Sequence, residues 1–214
     1  MIKVLLVDDH ELVRTGIKRI LEDAEGITVV GEVGSGEDAL RFMRRRRKPD
    51  VVLMDVSMPG MGGLEATRKL RRQYPNVKVI VLTIHAHEPY PTRLLEAGAA
   101  GYLTKGCAVD EIITAIREVN AGRRYIGMDI ARQIALSLLP GGERSPIDRL
   151  SQRELQILLM VTQGLNTQEI SDKLCLSPKT VCTYRYRLYE KLGANNDVEL
   201  THLVMRHGML EKAD

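Results

Sequence analysis

Val51-Val52-Leu53-Met54-Asp55-Val56-Ser57-Met58-Pro59-Gly60 is the stretch on which the fold turns. Four apolar residues in a row, without alternation, make a strand buried on both faces. The run stops at a carboxylate, and Pro59-Gly60 then turns the chain. A strand covered on both sides belongs to a parallel sheet between helices, and the flanking sequence supplies both. Further apolar runs lie at Lys3–Val7, Ile27–Val33, Val77–Leu82 and Gly101–Leu103. Helical periodicity fills the intervals near Glu11–Glu22, Gly36–Arg47, Leu64–Tyr74, Tyr90–Glu96 and Val109–Ala121. The alternation predicts a five-stranded parallel α/β sheet over residues 1–121.

After Gly122 the pattern changes. Residues 122–149 read as a linker, with a helix over 128–139 and a Pro/Gly-rich connector from Pro140 to Pro146. Residues 150–214 read as an all-α domain of four helices. Ser151-Gln152-Arg153-Glu154 has capping-box form and opens a helix to about Gln163. Asn166 opens a short helix to Leu174, and Ser177-Pro178 starts a third to Leu192, stopped by Gly193. A fourth spans Val198–His207.

With 44% apolar residues the chain can bury real cores, so disorder is not the default reading. No apolar run approaches a membrane span, and the first run ends at Asp8 too early for a signal peptide. Cys107, Cys175 and Cys182 are odd in number and lack ligand spacing, which fits a reducing cytoplasm. Net charge is +3, counted as +1 over residues 1–121, +2 over 122–150 and zero over 151–214. Nucleic-acid binding must therefore rest on a local patch.

In an open parallel sheet, ligands sit beyond the carboxyl ends of the strands where the strand order reverses. The runs there end in Asp8-Asp9, Asp55, Thr83 and Thr104-Lys105. With strand order 2-1-3-4-5, three carboxylates share one crevice and need a cation; Mg2+ suits such oxygen donors. Asp55 is the candidate phosphoacceptor nucleophile. Asp8, Asp9, Asp55 and the Ser57 backbone carbonyl would hold Mg2+, Lys105 would neutralise phosphoryl oxygens, and Thr83 would bond the product phosphate. Each of these residues alone is more often a cap or a solvated charge; their order at four strand ends is what is specific.

Two decoys stand nearby. Gly34-Ser35-Gly36-Glu37-Asp38-Ala39 fits a dinucleotide fingerprint, but it follows the second strand and the first ends in acids hostile to pyrophosphate. Arg44–Lys48 reads as a cationic helix end that complements the macrodipole. An aspartate-nucleophile phosphatase stays open as an alternative, although Ser57 stands where that chemistry wants a second aspartate. His10, His85 and His87 have no role beyond lining the site.

Helix Glu169–Leu174, the turn Cys175-Leu176-Ser177 and helix Pro178–Leu192 have helix-turn-helix geometry. Val181, Leu188 and Leu192, with Tyr184 beside them, form an inward stripe. Lys179, Thr180, Cys182, Thr183 and Tyr186 are then placed for base edges, and Arg185, Arg187 and Lys191 for phosphates. Spacing alone fits a protein-interaction module equally well.

Asp8-Asp9, Asp55 with Met58-Pro59-Gly60, Thr83 and Lys105 resemble the receiver domain of two-component response regulators, with Tyr102 at the switch-aromatic position. Leu150-Ser151, Arg153-Glu154, Glu169-Ile170, Ser177–Val181 and Lys191-Leu192-Gly193 resemble the LuxR-like helix-turn-helix. Together they look like the NarL/FixJ-type regulators. The stretch 170–181 with Tyr184-Arg185-Tyr186-Arg187 looks like the GacA/UvrY branch of that group. The resemblance implies a flavodoxin-like receiver that is not an enzyme beyond its own phosphoryl transfer. It also implies a sensor histidine kinase of hybrid type, promoter DNA of small regulatory RNAs, RNA polymerase and a homodimer as partners. Phosphorylation would draw Thr83 to the phosphate and Tyr102 inward, past a movable helix start at Pro89 and Pro91. Cys182 departs from the pattern, which commonly has Asn or Lys there; a thiol is a weak donor.

Overall fold

The computed structural model describes residues 1–44, 48–83, 90–137 and 146–206, which divide into two compact units between Leu136 and Ser137. The first holds β1 (Ile2–Val7), α1 (Glu11–Glu22), β2 (Ile27–Val33), α2 (Gly36–Phe42), β3 (Val51–Met54) and α3 (Gly63–Gln73). There follow β4 (Lys78–Thr83), α4 (Tyr90–Glu96), β5 (Gly101–Thr104), α5 (Val109–Asn120), β6 (Tyr125–Ile126) and α6 (Met128–Ser137).

The sheet is parallel in the order β2-β1-β3-β4-β5-β6. Side chains alternate across each strand, so the sheet makes two cores. Val4, Leu6, Val51, Leu53, Ile80 and Leu82 pack with Leu21 of α1 and Ile112, Ile116 and Val119 of α5. Leu5, Val7, Val52, Met54 and Val79 pack on the other face with Phe42 of α2 and Ala66 and Leu70 of α3. Every residue of β3 is buried, as its unalternating sequence requires.

One strand was not anticipated. Tyr125-Ile126 pairs with Gly101-Tyr102 as β6, making six strands where the sequence predicts five. Two residues behind Arg123-Arg124 carry no periodicity, so only the pairing reveals them. Helix α2 ends at Phe42 with Met43 as C-cap, short of the predicted Arg47; residues 45–47 lie outside the described residues. The Pro140–Ser145 connector, His85, His87, Pro89 and the predicted stop at His207-Gly208 also lie outside them.

The second unit contains a short 3-10 turn at Pro146–Arg149, then α7 (Gln152–Thr162), α8 (Thr167–Leu174), α9 (Pro178–Leu192) and α10 (Asp197–Arg206). The capping box at Ser151/Glu154 forms, and Asn166/Glu169 makes a second one. Cys175 takes the left-handed conformation, φ 52°, that lets α8 end and turn into α9. Ile157, Leu158, Ile170, Val181, Leu188, Leu200 and Val204 are buried between these helices.

The cysteines divide by environment. Cys175 and Cys182 are exposed, whereas burial, then the charge of Glu111, push the Cys107 thiol up to about 11. Alkylation at pH 8 is therefore expected to modify Cys175 and Cys182 first, with Cys107 at least about tenfold slower, because the thiolate is the reactive species. Peptide mapping over time checks this, and equal rates at the three positions would contradict it.

Candidate functional site

The carboxyl ends of β1, β3, β4 and β5 bring the predicted acidic residues into one crevice. Asp8 and Asp9 follow β1, and the backbone N–H of Asp8 donates to the Val33 carbonyl at 3.1 Å. Asp55 follows β3, with its N–H on the Val7 carbonyl at 2.8 Å. Lys105 follows β5, with its N–H on the Thr83 carbonyl at 2.8 Å. Each residue is thus placed by a ladder bond that continues the sheet.

Asp55 is 3% exposed and Asp8 5% exposed. The Lys105 ammonium bridges them, 2.6 Å from Asp8 Oδ2 and 3.0 Å from Asp55 Oδ2. Asp55 Oδ1 accepts from the backbone N–H of Val56 at 2.7 Å and of Ser57 at 3.3 Å. Burial raises the Asp55 pKa above the usual carboxylate value, and the Asp8 charge adds to this against the opposing pull of Lys105. Burial lowers the Lys105 pKa, but its bonds to Asp8 and Asp55 outweigh that and leave it raised.

Asp8, Asp9, His10 and Asp55 each offer a ligand atom, all within 4.8 Å of one another. One ammonium does not neutralise three carboxylates, and hard oxygen donors at this spacing suit a divalent cation such as Mg2+. Ser57 lies in the same loop with its backbone N–H turned to Asp55. Thr83 and Tyr102 are both fully buried.

Sequence reasoning missed the residues that brace this crevice. Arg14 Nη1 donates to the Asp8 carbonyl at 2.6 Å, pinning the loop that carries the acidic pair. Glu37 Oε1 accepts from the Met61 N–H at 2.8 Å and anchors the loop after β3. Glu37 belongs to the false dinucleotide fingerprint. Its Gly36 is small because a Cβ there would meet the Met61 carbonyl at 2.7 Å. The glycine serves loop packing, and no spacing rule separates that from a pyrophosphate site. His10 was given no specific role, yet its Nδ1 lies 3.0 Å from Asp9 Oδ1 and 3.2 Å from Asp8 Oδ1.

In the second unit, Ser177 caps α9 by accepting from the Thr180 N–H at 3.1 Å. Val181, Leu188 and Leu192 are buried, as the inward stripe requires. Lys179, Cys182, Thr183, Tyr186 and Arg187 are exposed on α9, with Tyr186 at 76%. Thr180 is half-buried, its hydroxyl 2.8 Å from that of Ser177. The Arg187 guanidinium lies 5.9 Å from the centre of the Tyr184 ring.

Two of the cations expected to reach phosphates are engaged inside the unit. Lys191 Nζ donates to Glu154 Oε2 at 2.8 Å. Arg185 bonds Thr167 and Asp197. Helical spacing put both on the outward half of α9, but partners on α7, α8 and α10 cannot be read from one helix. Among the described residues, the exposed cations of α9 that no ion pair inside the unit engages are thus Lys179 and Arg187, while Lys191 stays 43% exposed beside Glu154.

Comparison with known proteins agrees with both units. Residues 4–117 match the response regulator receiver domain, and residues 148–204 match the luxR family of bacterial regulatory proteins. The chain is 60% identical to the response regulator GacA of Pseudomonas aeruginosa over 214 residues, covering 100% of each. It is 59% identical to the response regulator UvrY of Escherichia coli over 210 residues, 98% of this chain and 96% of that one. Among solved structures, RcsB from Salmonella enterica serovar Typhimurium, bound to promoter rprA with the phosphomimetic BeF3-, matches with TM-score 0.69 and 27% identity. That match covers 96% of this chain and 99% of RcsB. Receiver crevice, helix-turn-helix and full-length similarity agree: the chain belongs to the two-component response regulators that carry a LuxR-type DNA-binding domain.

Proposed function

We propose that Mg2+-dependent phosphorylation of Asp55 by a sensor histidine kinase controls how the C-terminal helices bind promoter DNA, and so controls transcription. The observation that carries this reading is the buried Asp55 Oδ2, held 3.0 Å from Lys105 Nζ beside Asp8 in the crevice. Backbone N–H groups occupy Oδ1, which leaves Oδ2 as the nucleophile. Oδ2 forms a bond to phosphorus while the bond from phosphorus to the donor breaks, and the donor leaves with the electron pair. Asp8 and Asp9, with Asp55 and the Ser57 carbonyl, are the residues to hold Mg2+. When bound, that ion offsets charge on the transferring oxygens. Lys105 then turns from the carboxylates to the phosphoryl group, and the Thr83 hydroxyl bonds it. Tyr102, on β5 two residues before Thr104, is the switch aromatic whose packing responds to the phosphate.

Phosphorylation adds about −1.5 to −2 charge at this point. It shifts the protein's population only as far as the two states differ in their phosphate contacts. Function divides at 1–121 for the receiver, 122–149 for the linker and 150–214 for DNA binding. Lys179, Thr180, Cys182, Thr183 and Tyr186 face the base edges, and Arg187 reaches a phosphate. RcsB on its promoter with a phosphomimetic supports the link between receiver and DNA. The GacA/UvrY likeness points to a hybrid kinase upstream, small-RNA promoters downstream, a homodimer on DNA and contact with RNA polymerase in the cytoplasm. The receiver turns over no substrate other than its own phosphoryl donor. Among the described residues, no helix is long and apolar enough to cross a membrane.

The test is intact mass after incubation with acetyl phosphate and MgCl2. One phosphoryl adduct is expected on the native chain, with none after chelation of the metal and none on Asp55→Asn. An adduct that survives in Asp55→Asn places the acceptor elsewhere and ends this reading.

A further inference from the structure

Arg185 sits in the outward part of α9, yet its guanidinium turns back into the protein. Its side chain is 18% exposed. Nη1 donates to Thr167 Oγ1 at 3.0 Å, and Nη2 donates to Asp197 Oδ2. The other Asp197 oxygen accepts from the Tyr189 hydroxyl at 2.6 Å. Thr167 is the first residue of α8 and Asp197 the first of α10, while Arg185 and Tyr189 lie one turn apart on α9. Three helices therefore meet in one polar junction.

We infer that Arg185 is a positioning residue: through Asp197, Thr167 and Tyr189 it sets the tilt of α9 against α8 and α10, and it does not itself neutralise a DNA phosphate. The inference rests on the DNA-binding reading above and assigns a role within it. For Arg185 to reach a phosphate it would have to break a charge-assisted bond and leave Asp197 without its cation. A planar fork can hold two partners on two helices at fixed angles, which a lysine ammonium cannot. The side chains that Asp197 indirectly orients, Lys179, Cys182, Thr183 and Tyr186, are all exposed on α9. Asp197 has its own consequence. It lies at the start of α10, so a shift of α10 reaches α9 through this junction.

The counterion argument separates contact from positioning. Each phosphate neutralised contributes about −0.9 to the slope of log K against log salt. The full chain would first select a duplex from random-sequence DNA. Its affinity for that duplex and for a scrambled one would then be measured by anisotropy between 50 and 200 mM NaCl. Arg185→Gln and Asp197→Asn are each expected to weaken the selected duplex by about tenfold, the size of a lost base-pair match, with the salt slope unchanged. The scrambled duplex should change by less than about twofold, and the double variant should be no worse than either single one.

Arg187→Gln serves as the control, with a slope shallower by about 0.9. Tyr189→Phe removes one hydroxyl and keeps the helix, and it should lower the selected affinity by about threefold at constant slope. A slope shallower by about 0.9 in Arg185→Gln makes the residue a phosphate contact and overturns the inference. Unchanged affinity in Tyr189→Phe overturns it as well, even where Arg185→Gln fails to fold. If the native chain selects no duplex, the DNA-binding reading itself falls; if it selects one and the variants behave otherwise, only the junction's role does.

Discussion

Gly63→Ala is expected to cut the rate of Asp55 phosphorylation by about a hundredfold and to destabilise the receiver by about 3 kcal/mol, the upper part of the overpacking range. A Cβ at Gly63 would stand 1.9 Å from the Asp55 carbonyl oxygen and 2.8 Å from Val56 Cα. All the atoms it meets there are backbone, so no side chain can swing aside. Gly63 also donates its N–H to the Val56 carbonyl at 3.0 Å, which ties the start of α3 to the segment that carries the acceptor. Relief requires moving either α3 or the Asp55 peptide, and the second displaces a carboxylate set between Lys105 and two backbone donors. Gly16→Ala is the contrasting case. Nothing lies within 4 Å of its added Cβ, and in the middle of α1 alanine is favoured by about 1 kcal/mol. Thermal melts and acetyl-phosphate time courses on both variants check the pair. A Gly63→Ala protein phosphorylated within about twofold of the native rate would show that the loop yields more easily than its contacts require.

The sequence was most informative where function and topology use the same residues. Val51–Met54 announced a strand buried on both faces, and Asp8, Asp55, Thr83 and Lys105 stood at strand ends, so the crevice could be assembled from strand order alone. Helix ends with a side-chain cap were equally legible, since Ser151-x-x-Glu154 and Ser177-Pro178 state their geometry in local spacing. What escaped was of two kinds. Elements too short to have a period, such as β6, exist only through their partner strand. Charges with two plausible destinations were assigned outward by default. Arg185 and Lys191 fit the outward half of α9 by helical angle, yet Asp197 and Glu154 draw them in. Arg14 on α1 and Glu37 on α2 brace the crevice loops across gaps of six and twenty-four residues, which no local pattern marks.

Glu154 gives the sharpest stability effect in the DNA-binding unit. Its carboxylate, 3% exposed, accepts from Lys191 Nζ at 2.8 Å, from the Ser151 N–H at 2.7 Å and from the Ser151 hydroxyl at 2.8 Å. One side chain thus closes the capping box of α7 and ties it to the last turn of α9. Glu154→Ala removes all three bonds and leaves Lys191 unpaired, for an expected loss of about 3 kcal/mol. Lys191 is 43% exposed and can recover water, which keeps the cost from rising further. Burial alone would raise the Glu154 pKa, but the bonds from Lys191 and Ser151 outweigh it and hold it below the ordinary carboxylate value. A carboxyl with a depressed folded pKa stabilises the fold above its unfolded value, and that contribution is lost as pH falls through the folded value. The gap between native chain and Glu154→Gln should therefore be full at pH 7 and shrink only as the pH falls through the ordinary carboxylate range and below it. Hydrogen exchange over residues 150–206 of the full chain reads the effect without interference from the receiver. At pH 7 the alanine variant should lose protection there by about a hundredfold, with exchange in residues 1–121 unchanged. Equal protection in the two proteins would mean that α7 and α9 are held together by their apolar faces alone.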